Sequence, residues 1–286
     1  MSVFQDFSIG IYEKALPAGL SWPQRFEQAV RAGYDFIEFS VDDSDFRQQR
    51  LLWSQAQRRE FRSQLKSAGL FAPTMCLSGH HRFPIGSSDP AVRKQAMIIM
   101  SRALDLAEDL GIRIIQLAGY DELESLPSTD ETAAAFERNL ERAHRDAAKR
   151  GIVLAIENMG VPFMDSVEKV MSHVGRIDSP YLQSYPDIGN STAMGRRVDA
   201  ELALAAGHIA AIHIKDTRPG VYRNIPFGEG TVDFDAGFES IKKTGFIGPL
   251  VLEMWAGDRP DTYDEIVAAR NFVISKMENV WTAASV

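Results

Sequence analysis

The sequence has little cysteine, no excess of basic charge and no long apolar run, and each shortage excludes a class of protein. Its single cysteine, Cys76 among 286 residues, excludes an intramolecular disulfide and a four-cysteine zinc site. The formal net charge of −8 argues against nucleic-acid binding, which relies on a basic footprint. The most apolar stretches, such as 247–255, are too short and too interrupted to span a bilayer. Residues 1–10 carry Asp6 and show no signal-peptide pattern. We therefore expect a cytoplasmic protein with no membrane or nucleic-acid partner.

The remaining composition is that of an ordinary globular protein. Hydrophobic residues make up 45% and charged residues 24% of the chain, which is close to the average for soluble domains. A length of 286 residues suits one α/β barrel, for which about 250 residues is typical, and would also hold two smaller domains.

Short apolar segments alternate with amphipathic helical segments along the whole chain. This alternation is typical of βαβ units around a parallel sheet. The eight predicted strands cover residues 7–12, 36–40, 71–77, 113–118, 153–157, 182–185, 210–214 and 250–253. The clearest helices are predicted over 90–110 and 131–149, the first with Asp89 as N-cap and Gly111 at its end. No G-x-G-x-x-G turn follows the first strand, which disfavours a dinucleotide-binding fold. We predict an α/β protein, a single (β/α)₈ TIM barrel that forms one catalytic domain over residues 1–286.

Polar residues at the ends of four consecutive predicted strands indicate where the chemistry lies. In a barrel of this type, strand ends at the C-terminal face carry the active site. The residues are Glu157, Asp187, His213 and Glu253. Charged groups in apolar strands are costly unless they are paired or bind a metal. Three carboxylates and one imidazole suit one divalent metal ion, with Mn, Mg, Co or Zn all reasonable. For any single residue, a salt bridge or a satisfied core position is an equally good explanation.

Several sequence motifs resemble one enzyme family over nearly the whole chain. They are IGIYEKALPAG at 9–19, MCLSGHHRFP at 75–84, IQLAGYD at 115–121, YPDIGN at 185–190, HIKDTRPG at 213–220 and PFGEGTVDF at 226–234. These stretches resemble the L-ribulose-5-phosphate 3-epimerases, also called L-xylulose-5-phosphate 3-epimerases and often labelled hexulose-6-phosphate isomerases. That family belongs to the xylose isomerase-like barrel superfamily.

The resemblance implies a metal-dependent epimerase that interconverts L-xylulose 5-phosphate and L-ribulose 5-phosphate in L-ascorbate or pentose catabolism. It implies the same four metal ligands, a small phosphorylated ketose as the partner, and a homodimer or larger homo-oligomer. A cation at the ketose O2 makes the C3 proton acidic and stabilises an enediolate. Inversion at C3 needs a base on one face and an acid on the other, for which Glu157 and Glu253 are the predicted pair.

Phosphate and sugar oxygens need hydrogen-bond donors from the loops. The predicted substrate-binding residues are His80, Asn190, Lys215 and Arg223. Asn190 could instead cap the helix that follows Gly189.

Three other functions are compatible with a barrel of this kind. An aldose–ketose isomerase would move a proton between C1 and C2 through the same chemistry. An apurinic-site endonuclease would need more histidine ligands and a basic face for DNA than this acidic chain with six histidines provides. A sugar-phosphate binding protein without turnover could dispense with one of the two glutamates.

Overall fold

Eight parallel strands form the centre of the protein in the computed structural model, which describes residues 6–282. They are β1 (Phe7–Tyr12), β2 (Phe36–Ser40), β3 (Thr74–Leu77), β4 (Ile114–Ala118), β5 (Val153–Glu157), β6 (Leu182–Tyr185), β7 (Ile212–Ile214) and, after the hairpin given below, β10 (Gly248–Leu252). Their order in the sheet is β6-β5-β4-β3-β2-β1-β10-β7. Parallel bridges from Ser184 to Ile209 and from Asp187 to His213 join β6 to β7. The ring is thereby closed, and the predicted barrel is confirmed.

Helices follow the strands and cover the outside of the barrel. They are α1 (Trp22–Arg31), α2 (Asp45–Gln48), α3 (Gln55–Ser67), α4 (Pro90–Leu110), α5 (Asp130–Ala148), α6 (Val167–Ile177), α7 (Ile188–Ala193), α8 (Val198–Leu204), α9 (Phe234–Thr244) and α10 (Tyr263–Thr282). The helix predicted over 90–110 is confirmed, because Asp89 accepts a hydrogen bond from the backbone N–H of Ala91 and Gly111 ends it at φ 81°. Within residues 6–282, no helix has the length and apolar character needed to cross a membrane.

The main difference from the predicted elements is an antiparallel hairpin after β7. Its strands are β8 (Asp216–Arg218) and β9 (Val221–Ile225). They are short and largely polar, so the sequence shows no strand periodicity there. The third strand also begins later than predicted, at Thr74, because Pro73 has no N–H to donate to a ladder.

The barrel interior is apolar at one end and polar at the other. Phe36 is fully buried inside it, and its ring lies so close to Gly10 that a Cβ there would come within 2.2 Å of a ring carbon. Side chains two residues apart on a strand point the same way. Glu38 therefore lies above Phe36 on β2, toward the C-terminal ends where the predicted active-site residues lie.

Candidate metal centre and active site

The four predicted metal ligands meet at the C-terminal ends of the strands. Glu157 ends β5, Asp187 follows β6 by two residues, His213 lies in β7 and Glu253 follows β10. All four side chains are buried, and one ligand atom from each lies within 4.8 Å of all the others. The spacing along the sequence is large, so only the closed barrel brings these groups together.

The geometry of this cluster fits one divalent cation. Nδ1 of His213 lies 2.9 Å from Oε1 of Glu157, 3.9 Å from Oε2 of Glu253 and 4.0 Å from Oδ2 of Asp187. Oδ2 of Asp187 is buried and, within the described residues, makes no hydrogen bond of good geometry, although the ammonium of Lys215 lies against it. Three carboxylates and one imidazole are a donor set that several divalent ions accept, so the cluster does not select among Mn, Mg, Co and Zn.

A buried lysine shares the same carboxylates. Nζ of Lys215 lies 2.6 Å from Oδ2 of Asp187 and 2.7 Å from Oε2 of Glu253. Burial raises the pKa of Asp187 to about 7, although Lys215 opposes the shift. Burial also disfavours the anion of Glu253, but Lys215 and His213 outweigh it and lower that pKa to about 2. The ammonium of Lys215 therefore favours the carboxylate form of both side chains.

The imidazole of His213 sits in a strongly anionic environment. Burial alone lowers the pKa of a histidine. Here the carboxylates of Glu38, Glu253 and Glu157 outweigh burial and raise the pKa of His213 well above its usual value. Such an excess of negative charge around one ring suits a cation at this position.

Asp187 is held in place by the start of a helix. Its Oδ1 accepts a hydrogen bond from the backbone N–H of Asn190 at 2.8 Å, which makes it the N-cap of α7. Its own N–H donates to Oδ1 of Asn158 at 2.8 Å. Asn190 is therefore not the cap. Its side-chain amide donates to the carbonyl of Asn158 at 2.9 Å, and the residue lines the cavity described next.

A cavity of about 620 Å³ opens above the cluster. Volumes of this order are usual for sites that bind small molecules. Its lining includes five of the predicted site residues, Glu157, Asn190, Lys215, Arg223 and Glu253. Two further basic residues, Lys14 and His81, also line it.

The hairpin formed by β8 and β9 covers one side of this cavity. The guanidinium carbon of Arg223 lies 5.0 Å from the ring centroid of Trp255, a distance at which a cation and an aromatic face attract each other. The hydroxyl of the neighbouring Tyr222 donates to the sulfur of Met194 at 2.7 Å. These contacts fix the hairpin so that Arg223 faces the cavity.

The structure does not place His80 in the cavity. It is fully buried, and its Nε2 lies 3.2 Å from the carbonyl oxygen of Ala96 in α4. Burial lowers its pKa to about 4, so the ring is neutral. In the 3₁₀ turn over Ser78–His81, adjacent side chains point in different directions, and His81 is the one that lines the cavity.

Two polar residues of the barrel interior were not predicted from the sequence. The side-chain amide of Gln116 in β4 donates to Oε2 of Glu157, and Oε2 of Glu38 in β2 lies 2.7 Å from Nε2 of His213. Glu38 carries the same signal as the four ligands, a charge within an apolar strand. It lies in the middle of β2, so a rule that considers only the polar residues at strand ends does not find it.

Comparison with known proteins agrees with this architecture. The family model described as the xylose isomerase-like TIM barrel matches residues 26–272. An L-ribulose-5-phosphate 3-epimerase UlaE of Shigella sonnei is 44% identical over 278 residues, which is 97% of this chain and 98% of the relative. The protein of the same name from Escherichia coli K12 is 45% identical over 273 residues, 96% of each chain.

Solved structures share the fold at much lower identity. A structure of L-ribulose 3-epimerase has a TM-score of 0.80 at 19% identity, with 97% of this chain and 96% of that chain covered. D-allulose 3-epimerase from Methylomonas sp., in complex with D-allulose, has a TM-score of 0.79 at 19% identity, with 94% and 97% covered. With these matches, the chain belongs to the xylose isomerase-like TIM barrel family and, within it, to the L-ribulose-5-phosphate 3-epimerases.

Proposed function

We propose that this protein is a metal-dependent epimerase that interconverts L-xylulose 5-phosphate and L-ribulose 5-phosphate by inverting C3. The observation that carries the proposal is the placement of Glu157 and Glu253. In the closed ring, β5 and β10 are separated by β6 and β7 on one side and by four strands on the other. The two carboxylates therefore enter the cavity from different walls, as removal and return of a proton on opposite faces of C3 requires.

Both glutamates are held by a neighbour that contacts one of their two oxygens. The side-chain amide of Gln116 donates to Oε2 of Glu157, and Lys215 lies against Oε2 of Glu253. Glu157, Asp187, His213 and Glu253 would hold a divalent ion, and such an ion would supply an electrophile for the negative charge that develops at the ketose O2. Glu157 and Glu253 then exchange the C3 proton, each serving as base for one epimer.

The remaining predicted residues suit the ends of the substrate. Lys215 and Asn190 are buried and suit hydrogen bonds to the sugar oxygens, whereas the exposed Arg223 suits the phosphate. The ring of His80 is hydrogen-bonded to α4 inside the protein, so His80 is not part of the proposed substrate site.

The proposal is tested by proton exchange in D₂O with manganese-loaded protein and L-xylulose 5-phosphate. We expect NMR to show deuterium entering at C3 while L-ribulose 5-phosphate forms. Glu157→Gln should abolish both, because the amide cannot take a proton from C3. The exposed Glu27→Gln, which changes the same group at a distance from the site, serves as the control and should react like the wild type.

The other outcomes separate the alternatives. Deuterium at C1 in place of C3 would show an aldose–ketose isomerase. Binding of the ketose phosphate without exchange at any carbon, with each of the divalent ions, would contradict an enzymatic function and leave a binding protein.

A further inference from the structure

The carboxylate of Glu38 lies on the side of His213 that faces away from the cavity. It is neither one of the predicted metal ligands nor part of the proposed proton exchange. Oε2 of Glu38 lies 2.7 Å from Nε2 of His213. The other oxygen, Oε1, accepts a hydrogen bond from the hydroxyl of Tyr185 at 2.7 Å. Glu38 and His213 are completely buried, and so is Tyr185. The three side chains form a closed set of contacts inside the barrel.

The same residues restrict the orientation of the imidazole. The ring of Tyr185 packs against His213 with centroids 4.6 Å apart and planes at 61°. The ring of Tyr12 lies at 6.3 Å and 45°. Two aromatic rings and a hydrogen bond to Glu38 therefore leave His213 one orientation, in which Nδ1 points at Glu157, Asp187 and Glu253.

The hydrogen-bonding capacity of each group determines where the proton lies. An ionised carboxylate only accepts hydrogen bonds, and Tyr185 already donates to Oε1 of Glu38. The contact between Oε2 and Nε2 must therefore use a proton carried by Nε2. With a metal ion in place of a proton between Nδ1 and Oε1 of Glu157, the imidazole would keep its one proton on Nε2 and offer the lone pair of Nδ1 to the ion.

A fully buried carboxylate is costly unless it is compensated. Salt-bridge partners within 4.0 Å of Glu38 in the described residues are limited to His213. Packing alone would be met by an apolar side chain, as it is at Phe36, two residues earlier on β2. The cost of burying Glu38 is therefore explained by its effect on His213.

We propose that Glu38 is a positioning residue that keeps the proton of His213 on Nε2 and so presents Nδ1 to the metal ion. The inference rests on the metal site of the proposed function. Partners that orient a ligating histidine in this way typically contribute a factor of 10 to 100 in metal affinity.

The test is the affinity of the metal-free protein for Co²⁺, followed by its visible absorption. Glu38→Gln keeps the shape of the side chain, but its amide group can donate toward Nε2 and thereby favour a proton on Nδ1. We expect the dissociation constant for Co²⁺ to rise by a factor on the order of 10 to 100, with an altered absorption band. Tyr185→Phe retains the carboxylate and should show a smaller increase.

A second readout follows the proton directly. In zinc-loaded protein with ¹⁵N-labelled histidine, NMR should show a proton on Nε2 of His213 in the wild type. Glu38→Gln should show a population with the proton on Nδ1. Glu201→Gln makes the same change at a buried glutamate that accepts a hydrogen bond from the backbone of Val167, in a different part of the fold. This control should leave both the affinity and the spectrum unchanged.

The outcomes distinguish this inference from the proposed function. Wild-type affinity and spectrum in Glu38→Gln, with only a lower melting temperature, would show a structural role and overturn the inference. Failure of the wild type to bind Co²⁺ would overturn the metal site and the inference together. Binding of Co²⁺ that depends on Glu38, without exchange at C3, would contradict the epimerase alone.

Discussion

At the scale of single residues, the structure separates side chains that share a chemical type but not a function. His80 and His81 are adjacent in sequence, yet one is buried against α4 and the other lines the cavity. The sequence could single out Glu157, Asp187, His213 and Glu253 because each lies in a strand or within two residues of its end. It could not orient His80, because the direction of a side chain in a short 3₁₀ turn depends on packing that has no periodic signature.

Arg223 should determine the preference for a phosphorylated ketose. Hydrogen bonds to charged groups contribute about 1.5–3 kcal/mol, so Arg223→Gln should raise KM for L-xylulose 5-phosphate by roughly 10 to 100 times. The KM for unphosphorylated L-xylulose should change little. Initial rates with both sugars provide the measurement.

Arg218→Gln is the matched control on the same hairpin. Its guanidinium donates to the carbonyl of Glu229 and is exposed, so this variant should keep the wild-type KM. An equal loss of affinity for both sugars in Arg223→Gln would show that Arg223 supports the hairpin and does not contact the phosphate.

At the scale of elements, local patterns predicted the barrel strands and the clearest helices but not the hairpin. The barrel strands are apolar and bounded by turn residues, and such signals lie within a few neighbouring positions. The hairpin depends on contacts between residues far apart in the loop. Oδ2 of Asp216 accepts hydrogen bonds from the backbone N–H groups of Gly228 at 2.8 Å and Gly230 at 2.9 Å. No periodicity reveals a carboxylate that binds backbone twelve and fourteen positions away.

Replacing this carboxylate should loosen the segment that carries Arg223. In Asp216→Asn, one of the two carboxylate oxygens is replaced by an NH₂ group, which donates hydrogen bonds and cannot accept them. Gly228 is exposed and Gly230 is half-buried, so once these hydrogen bonds weaken, both backbone amides should exchange with solvent faster. Hydrogen–deuterium exchange with mass spectrometry measures this change.

Asp233→Asn provides the comparison nearby. Asp233 caps α9 by accepting from the N–H of Ala236 at 3.0 Å, and asparagine caps helices about as well as aspartate. Unchanged exchange over 226–232 in Asp216→Asn would show that other contacts hold the loop.

At the scale of the whole molecule, the order of the βα units was predictable because each unit is local and the connections in such folds are right-handed. The buried charge network near the start of the chain was not predictable. Glu13 is fully buried and contacts Arg25, Arg47 and Arg50, with its closest contact 2.6 Å from Arg50. Glu13 and Arg25 follow β1 whereas Arg47 and Arg50 follow β2, so the pairing of these two strands in the folded barrel brings them together. The compartment and the oligomeric state stay predictions.

Glu13→Gln should destabilise the whole barrel. Removing one partner from a buried ion pair leaves the opposite charge uncompensated and typically costs about 3–5 kcal/mol. Urea unfolding followed by circular dichroism should show a lower midpoint, whereas the exposed Glu27→Gln should change the free energy of unfolding by less than about 0.5 kcal/mol.

The sign of the pH dependence follows from the same contacts. Burial opposes ionisation of Glu13, but the arginines, Arg50 first, outweigh it and lower its pKa. A lowered pKa in the folded state stabilises the protein above the unfolded pKa, and this stabilisation is lost as pH falls through the folded value. The difference between wild type and Glu13→Gln should therefore be full at neutral pH and shrink in acid. A constant difference across that range would contradict the assignment.

The contact between Phe36 and Gly10 affects how ligands reach the cavity and leave it. The ring of Phe36 is buried in the interior and lies close against the first strand, so within residues 6–282 it fills the barrel below the cavity and ligands reach the cavity from the C-terminal face. If the cavity binds a ketose phosphate as proposed, substrate and product use this same opening. The two epimers then compete for it, and each product must leave before the next substrate enters.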